Sequence, residues 1–537
     1  MNDHTRGGVR VVIAGAGIAG ISAAVALKEQ LGFTNFTIYE QAGDVGGTWR
    51  DNTYPGCSCD VAAHWYSLST ELNPNWPTYH VSQTEIHLYW KRVFAKHNLG
   101  AKTKFHTQVH YAAWSEERQQ YDITLKDMLT GEESHTTAEV LFCAMGGFFT
   151  PLYPADIPGR DTFKGELWHS AEWRHDVELQ GKRVGVIGNG ASAVQFIPEI
   201  SRDPSVQVVN FCRTPNWFVP RAFLRYPEWV KWTFANIPFA MRWYRNCIMA
   251  RADMNFLIFN KQNTWIVSFV RQQLEKYIAH KAPKDELEKL TPKYSPGCKR
   301  IIVDSNYLTC LKQPNVSLNW DAIDSVVEEG VRLKNGEVIP LDVLIFGTGY
   351  SLEPADLRVK GRSTTIHQYF KTQGGPTAMY GMSIPGFPNV FVLLGPNVAV
   401  GHASVLFSEE AQVQYALQLI KPIIDGRVKS FDIKEDVCSA YNSWLQLRLA
   451  SSVWTDCRSY YHINRDDHSK ISAVFPGPVS LFWWMTRRPR WDHWNVVGTK
   501  TEDLHRHYGQ SAIMGLVSLL VSLGVAFAFS IPRGLVS

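Results

Sequence analysis

The chain has 537 residues, enough for about two to four domains with sizeable cores. Its 54 basic and 50 acidic side chains nearly cancel, which excludes the cationic footprint of a nucleic-acid binder. Nine scattered cysteines exclude a disulfide framework and predict reduced thiols in a reducing compartment; Cys57 and Cys59 are spaced wrongly for a zinc knuckle, so no metal is expected.

The polar start Met1 to Gly8 runs straight into the apolar run Val11 to Ala14, with no secretory leader. That run predicts a buried strand. It feeds Gly15-Ala16-Gly17-Ile18-Ala19-Gly20 and then a helix. Glycines at this spacing let the backbone approach a pyrophosphate, and the helix N-terminus offers it a positive dipole end. The next strand, Phe36 to Tyr39, ends in Glu40, a carboxylate placed to bind a ribose diol. Phe142 to Gly147 reads as a strand closing on a glycine turn, and the prolines of Pro151 to Gly159 form a stiff connector.

The pattern then repeats. Val184 to Ile187 predicts a second strand, followed by Gly188-Asn189-Gly190-Ala191-Ser192-Ala193 and a helix. The strand Val206 to Phe211 ends not in a carboxylate but in Cys212-Arg213-Thr214. Arg213 suits the 2′-phosphate of NADP, which a carboxylate would repel. Both Glu40 and Arg213 are also compatible with ordinary strand-end surface charges. Two such turns, each with its own strand and helix, imply two dinucleotides in one polypeptide, hence electron transfer between a flavin and a nicotinamide.

Residues 216–296 are aromatic-rich and read as helical. The run NWFVPRAFLRYPEWVKW lines a tunnel, lies against a membrane or simply packs. Leu341 to Tyr350 predicts a buried strand closing on the glycine turn Gly347-Thr348-Gly349. At the C-terminus, residues 511–531 carry 21 residues without a charge, flanked by Lys500, Arg506, His507 and Arg533. A helix of that length is about 30 Å long and spans a bilayer core, which predicts a single-pass tail anchor with a cytosolic catalytic body; a buried or interfacial helix is the other reading.

The expected fold is α/β, with two Rossmann-like dinucleotide-binding domains for FAD and NADP, a helical insertion and a C-terminal hydrophobic helix. The FAD-binding domain takes 1–150 and 348–505. The NADP-binding domain takes 151–215 and 297–347, interrupted by the insertion 216–296.

Phe163-Lys164-Gly165-Glu166-Leu167-Trp168-His169-Ser170-Ala171-Glu172-Trp173 matches an FxGxxxHxxxW fingerprint at Phe163, Gly165, His169 and Trp173. With it, the chain from about residue 9 to 495 resembles the class B flavoprotein monooxygenases, more narrowly the type I Baeyer–Villiger monooxygenases. Arg174 and Met145 depart from the family's usual residues. The resemblance places Gly46-Gly47-Thr48-Trp49 and the segment Tyr54 to Asp60 beside the flavin. It puts Arg213, Thr214 and Lys299 on the NADP 2′-phosphate, Arg300 in the active site, and the helix from Ala403 at the flavin's pyrimidine edge. It implies FAD and NADPH as cofactors, with O2 and a lipophilic ketone as substrates. NADPH reduces the flavin, O2 adds to give a peroxyflavin, and oxygen insertion yields an ester or lactone. Arg300 would then shelter the peroxide anion and Asp60 would steer Arg300. The blander roles are a phosphate or surface arginine for Arg300 and a turn cap for Asp60. His169 reads as a hydrogen-bonding hinge rather than a proton carrier. Nitrogen or sulfur oxidation by the protonated form of the same adduct, and a membrane-tethered flavoprotein without catalysis, remain the alternatives.

Overall fold

The computed structural model describes residues 8–222, 224–351, 358–466 and 469–508. Two five-stranded parallel sheets organise it. The first runs Val390–Val392, Val140–Cys143, Val11–Ala14, Phe36–Tyr39, Thr103–Lys104. Its central strands are short, apolar and buried on both faces, as parallel strands covered by helices must be. The second runs Val316–Asn319, Gln207–Phe211, Arg183–Ile187, Val343–Phe346, Glu166–His169. Each glycine turn therefore leaves an inner strand at the carboxyl end of its own sheet, where α/β folds bind nucleotides.

The fingerprint supplies the edge strand of the second sheet. His169 aligns with Phe346 there.

An antiparallel sheet of Thr107–Ser115, Gln120–Asp127 and Glu133–Ala138 covers the first parallel sheet and shares a second core with it. The insertion forms the helices Glu228–Asn236, Ala240–Met254 and Thr264–Lys281. Arg245 anchors it. That side chain is buried and donates to the carbonyl of Ser67 at 2.6 Å and to Glu410 at 2.9 Å, which compensates its desolvation. The aromatic run splits in two. Trp217 and Phe218 enter the core, while Trp229 and Trp232 stand 71% and 60% exposed.

The single-pass membrane placement is corrected. Among the described residues no helix is long and apolar enough to cross a membrane. Segment 511–531, on which that expectation rested, lies outside the described residues.

Candidate active site

The first glycine turn is shaped by close approach. A Cβ on Gly15 would sit 2.7 Å from the Ala144 carbonyl, and one on Gly20 would sit 1.9 Å from the Gly15 carbonyl. The helix Ile18–Leu31 is thereby pressed onto its strand. It starts at Gly17 with no side-chain cap, so its leading N–H groups are free for an anion. Gly47 crosses the same turn with φ of 51°, its Cβ direction 3.1 Å from the Gly17 Cα. Thr48 and Trp49 open the helical turn Thr48–Asp51 behind it. Trp49 is buried and donates to the Tyr66 hydroxyl at 3.0 Å. Glu40 is buried at the strand end. It accepts from the Ala16 amide at 2.7 Å, the Ala42 amide at 3.0 Å and Arg50 Nη1 at 3.0 Å, which fixes its carboxylate at the mouth of the turn.

The second turn has the same design with one opening. A Cβ on Gly188 would lie 2.6 Å from the Gly347 carbonyl, but the Cβ direction of Gly190 meets nothing within 4 Å. That space is cradle-shaped, and the helix Ala193–Ile200 begins beside it at Ser192, again without a side-chain cap. Ala193 takes the third, close-packed position and is fully buried. Asn189 donates to the Thr214 carbonyl at 3.0 Å, tying the turn to the loop that carries Arg213.

Cations gather at that loop. The Arg213 side chain is 70% exposed, with Asp156 3.9 Å away. Lys299 Nζ donates to Thr214 Oγ1 at 2.7 Å. Burial, then the Arg213 charge, pushes the Lys299 ammonium down to about 8. Arg465, which the sequence did not single out, donates to the Thr348 carbonyl at 2.9 Å and sits 3.5 Å from the Cβ direction of Gly349. Burial and Arg213 lower its pKa too. Like charges gathered on one loop suit the binding of a dianion such as a phosphate. The free helix ends, the open space at Gly190, Glu40 at one turn and this basic cluster at the other fit an FAD and an NADP.

Asp60 and Arg300, far apart in the chain, meet in the fold. Arg300 donates to Asp60 Oδ2 through Nε at 3.0 Å and Nη2 at 2.8 Å, and through Nη1 to the Val400 carbonyl at 3.1 Å. Burial alone would lower the guanidinium's pKa; Asp60, together with Tyr461 and Tyr460, outweighs it and the shift is upward. The loop before Asp60 rests on the NADP-side helix. Tyr54 donates to Gln195 Oε1 at 3.1 Å, and Gln195 Nε2 donates to the Ser58 carbonyl at 3.0 Å. Behind Arg300 stands an aromatic wall. Phe259 of the insertion stacks on Trp454 at 5.0 Å and contacts His402 at 5.5 Å. The helix Val405–Ile424 starts after Ser404, which makes no side-chain cap, close to where it was expected to begin.

The expectation of nine reduced thiols is corrected. Cys298 and Cys457 form a disulfide across 159 residues, and the other seven cysteines are free. Count and spacing could not show this, because the pairing is made by two loops that meet only in the fold. The bridge adjoins Lys299 and Arg300 and ties their loop to the segment carrying Tyr460, Tyr461 and Arg465.

In the fingerprint, a Cβ on Gly165 would meet the Asp342 carbonyl at 2.3 Å and the Phe163 ring at 2.7 Å. His169 is wholly buried, and its Nδ1 accepts from the Ala171 amide at 3.1 Å. Burial pushes its imidazole down to about 4, so it is neutral at ordinary pH. Its ring packs against Tyr153 at 5.5 Å and Tyr350 at 6.0 Å, while Trp173 packs against Trp168 at 5.8 Å and Phe196 at 5.1 Å.

Residues 8–357 match the flavin-binding monooxygenase-like family. The chain is 36% identical over 461 residues to a Baeyer–Villiger monooxygenase of Pseudomonas aeruginosa, covering 84% of this chain and 85% of that one. It is 31% identical to the FAD-binding monooxygenase ktnD of Aspergillus niger, covering 98% of this chain and 88% of that one. Its fold is similar to that of an oxidised steroid monooxygenase bound to NADP, with TM-score 0.76 and 26% identity over 89% of this chain and 96% of that one.

Proposed function

The chain belongs to the flavin-binding monooxygenase-like family and, within it, to the Baeyer–Villiger monooxygenases, and from that premise we propose that it inserts one oxygen atom of O2 into a lipophilic ketone. The overall reaction is ketone + O2 + NADPH + H⁺ giving ester or lactone + NADP⁺ + H2O. Bound FAD supplies the redox chemistry, accepting a hydride from NADPH and activating O2.

The residues divide that labour. Gly15, Gly17, Gly20, Glu40, Gly47, Thr48 and Trp49 hold FAD. Gly188, Gly190, Ser192, Ala193 and Gly349 hold NADP, with its 2′-phosphate on Arg213, Thr214 and Lys299 and on Arg465 as well. Arg300 provides fixed positive charge where negative charge develops as O2 is reduced, and Asp60 orients it. The bidentate donation from Nε and Nη2 leaves the guanidinium little rotational freedom, which suits a preorganised site. Phe163, Gly165, His169 and Trp173 act at the hinge between the two nucleotide units. A neutral, buried His169 supports that role over proton transfer. Phe256, Phe259 and Trp454 pack into an apolar core that reaches His402, surroundings that suit an apolar substrate.

One observation carries this reading: a guanidinium–carboxylate pair that joins the FAD-side loop to the segment following the insertion, in a chain with two uncapped glycine turns. The test is to incubate purified protein with NADPH, O2 and a panel of ketones, sulfides and amines, and to weigh the products. Esters or lactones support the proposal; sulfoxides or N-oxides without esters overturn it.

A further inference from the structure

We infer that Arg221 is a positioning residue for oxygen insertion, a clamp between the loop that carries Asp60 and the strand that follows Arg300. The inference rests on the catalytic reading of Arg300 given above.

The strand Phe218–Pro220 pairs in parallel with Ile302–Asp304, with Pro220 opposite Asp304. The next residue on each side is Arg221 and Ser305, and Arg221 Nη1 donates to Ser305 Oγ at 3.2 Å. The same nitrogen donates to Ser58 Oγ at 3.0 Å. Ser58 lies two residues before Asp60, and Ser305 lies a short strand beyond Arg300. A single nitrogen thus joins the FAD-side loop to the NADP-side strand on which the catalytic pair depends. Ser58 is a shared node, since Gln195 Nε2 also donates to its carbonyl at 3.0 Å.

The charge state of Arg221 makes this more than packing. Burial lowers its pKa, yet its hydrogen-bond acceptors are two hydroxyls rather than a carboxylate. The nearby Glu199 is engaged by Arg202 at 2.6 Å. Desolvating a cation without a full counter-charge is unfavourable, and such a group persists where its geometry serves something else. Arg221, Ser58 and Ser305 together line a cavity of about 480 Å³ whose polar groups include Thr84, Gln83 and Asn306, so water can reach the guanidinium. Arg221 therefore stays charged while two of its contacts fix the spacing of loops that come from different nucleotide units. Removing it frees the Asp60 loop to shift against Arg300, and small displacements at a reacting centre are costly.

The experiment measures Arg221→Gln and Arg221→Lys by rapid mixing and by product stoichiometry. The clamp leaves the rate of flavin reduction by NADPH within about twofold of wild type. It lowers product formed per NADPH consumed by about tenfold, less than the roughly hundredfold cost of a full 1 Å misplacement, with the difference appearing as hydrogen peroxide (NADPH + H⁺ + O2 giving NADP⁺ + H2O2). Arg221→Lys, which keeps the charge on a single donor nitrogen, restores part of the coupling. Combined with Asp60→Asn, the loss is less than additive, because both changes act on one geometry. Wild-type coupling in Arg221→Gln overturns the inference, as does a strictly additive double variant. If Arg221→Gln does not retain flavin, Ser305→Ala decides. It removes one acceptor from the clamp, and unchanged coupling there overturns the inference. Wild-type protein that yields no ester would instead overturn the function on which the inference rests.

Discussion

Arg300 Nη2 and Asp60 Oδ2 lie 2.8 Å apart although 240 residues separate them in the chain. The pair is formed only when the FAD-side loop, the NADP-side strand and the return of the chain at Val400 close on one another. Asp60 raises the guanidinium's pKa against the opposing effect of burial, so its charge is independent of pH over the working range. What Asp60 controls is position.

Arg300→Ala is expected to leave flavin reduction by NADPH within a fewfold of wild type and to cut ester formation by about a hundredfold or more, the scale of losing one preorganised charge contact. Anaerobic and aerobic rapid-mixing experiments separate the two half-reactions. Full ester yield from the variant would remove Arg300 from the chemistry.

NADPH affinity should weaken as pH rises through about 8. Lys299 carries its proton below that value and loses it above, and phosphate binding favours the protonated form. The free protein therefore binds NADPH with proton uptake on the alkaline side. Lys299→Met should raise KM for NADPH by about tenfold at neutral pH and flatten the alkaline rise, since one charge-assisted contact is lost. NADH, which has no 2′-phosphate, should show little of this dependence. An equal pH effect for both coenzymes would refute the assignment.

The same substitution should have opposite consequences at two glycines. Gly20→Ala forces a methyl to within 1.9 Å of the Gly15 carbonyl, so helix and strand must separate. The expected cost is about 1–3 kcal/mol with loss of bound flavin, read by thermal unfolding and visible absorbance. Gly190→Ala meets no protein atom within 4 Å and should leave Tm unchanged. Its methyl instead fills pyrophosphate space, and KM for NADPH should rise by about tenfold.

Alkylation of the denatured chain under non-reducing conditions should label seven cysteines, and nine after reduction, if the Cys298–Cys457 bridge is present, since six of the seven free thiols are buried in the fold. Cys457→Ser should lower stability by about 2–4 kcal/mol, because the bridge closes a long loop. Nine labelled thiols without reduction would disprove the bridge.

Much of the fold was legible in the order of residues. A buried strand, a glycine turn and a helix are local features, set by steric limits on the backbone and by the dipole at a helix start, so Gly15 to Gly20 and Gly188 to Ala193 announce themselves. The sign of the charge at each following strand end, Glu40 or Arg213, is local in the same way, and it set the expectation of two different nucleotides. Other features were not local. Gly165 tolerates no side chain because Asp342 lies against it, and the fingerprint is a strand only because Val343–Phe346 offers it a partner. Arg465 reaches Thr348, Cys298 reaches Cys457, and Arg221 reaches Ser58 and Ser305 only once distant segments have packed. Sequence spacing reports what one helix or strand presents. Burial, charge crowding and the joining of loops depend on which surfaces the chain brings together, and tertiary packing alone decides that.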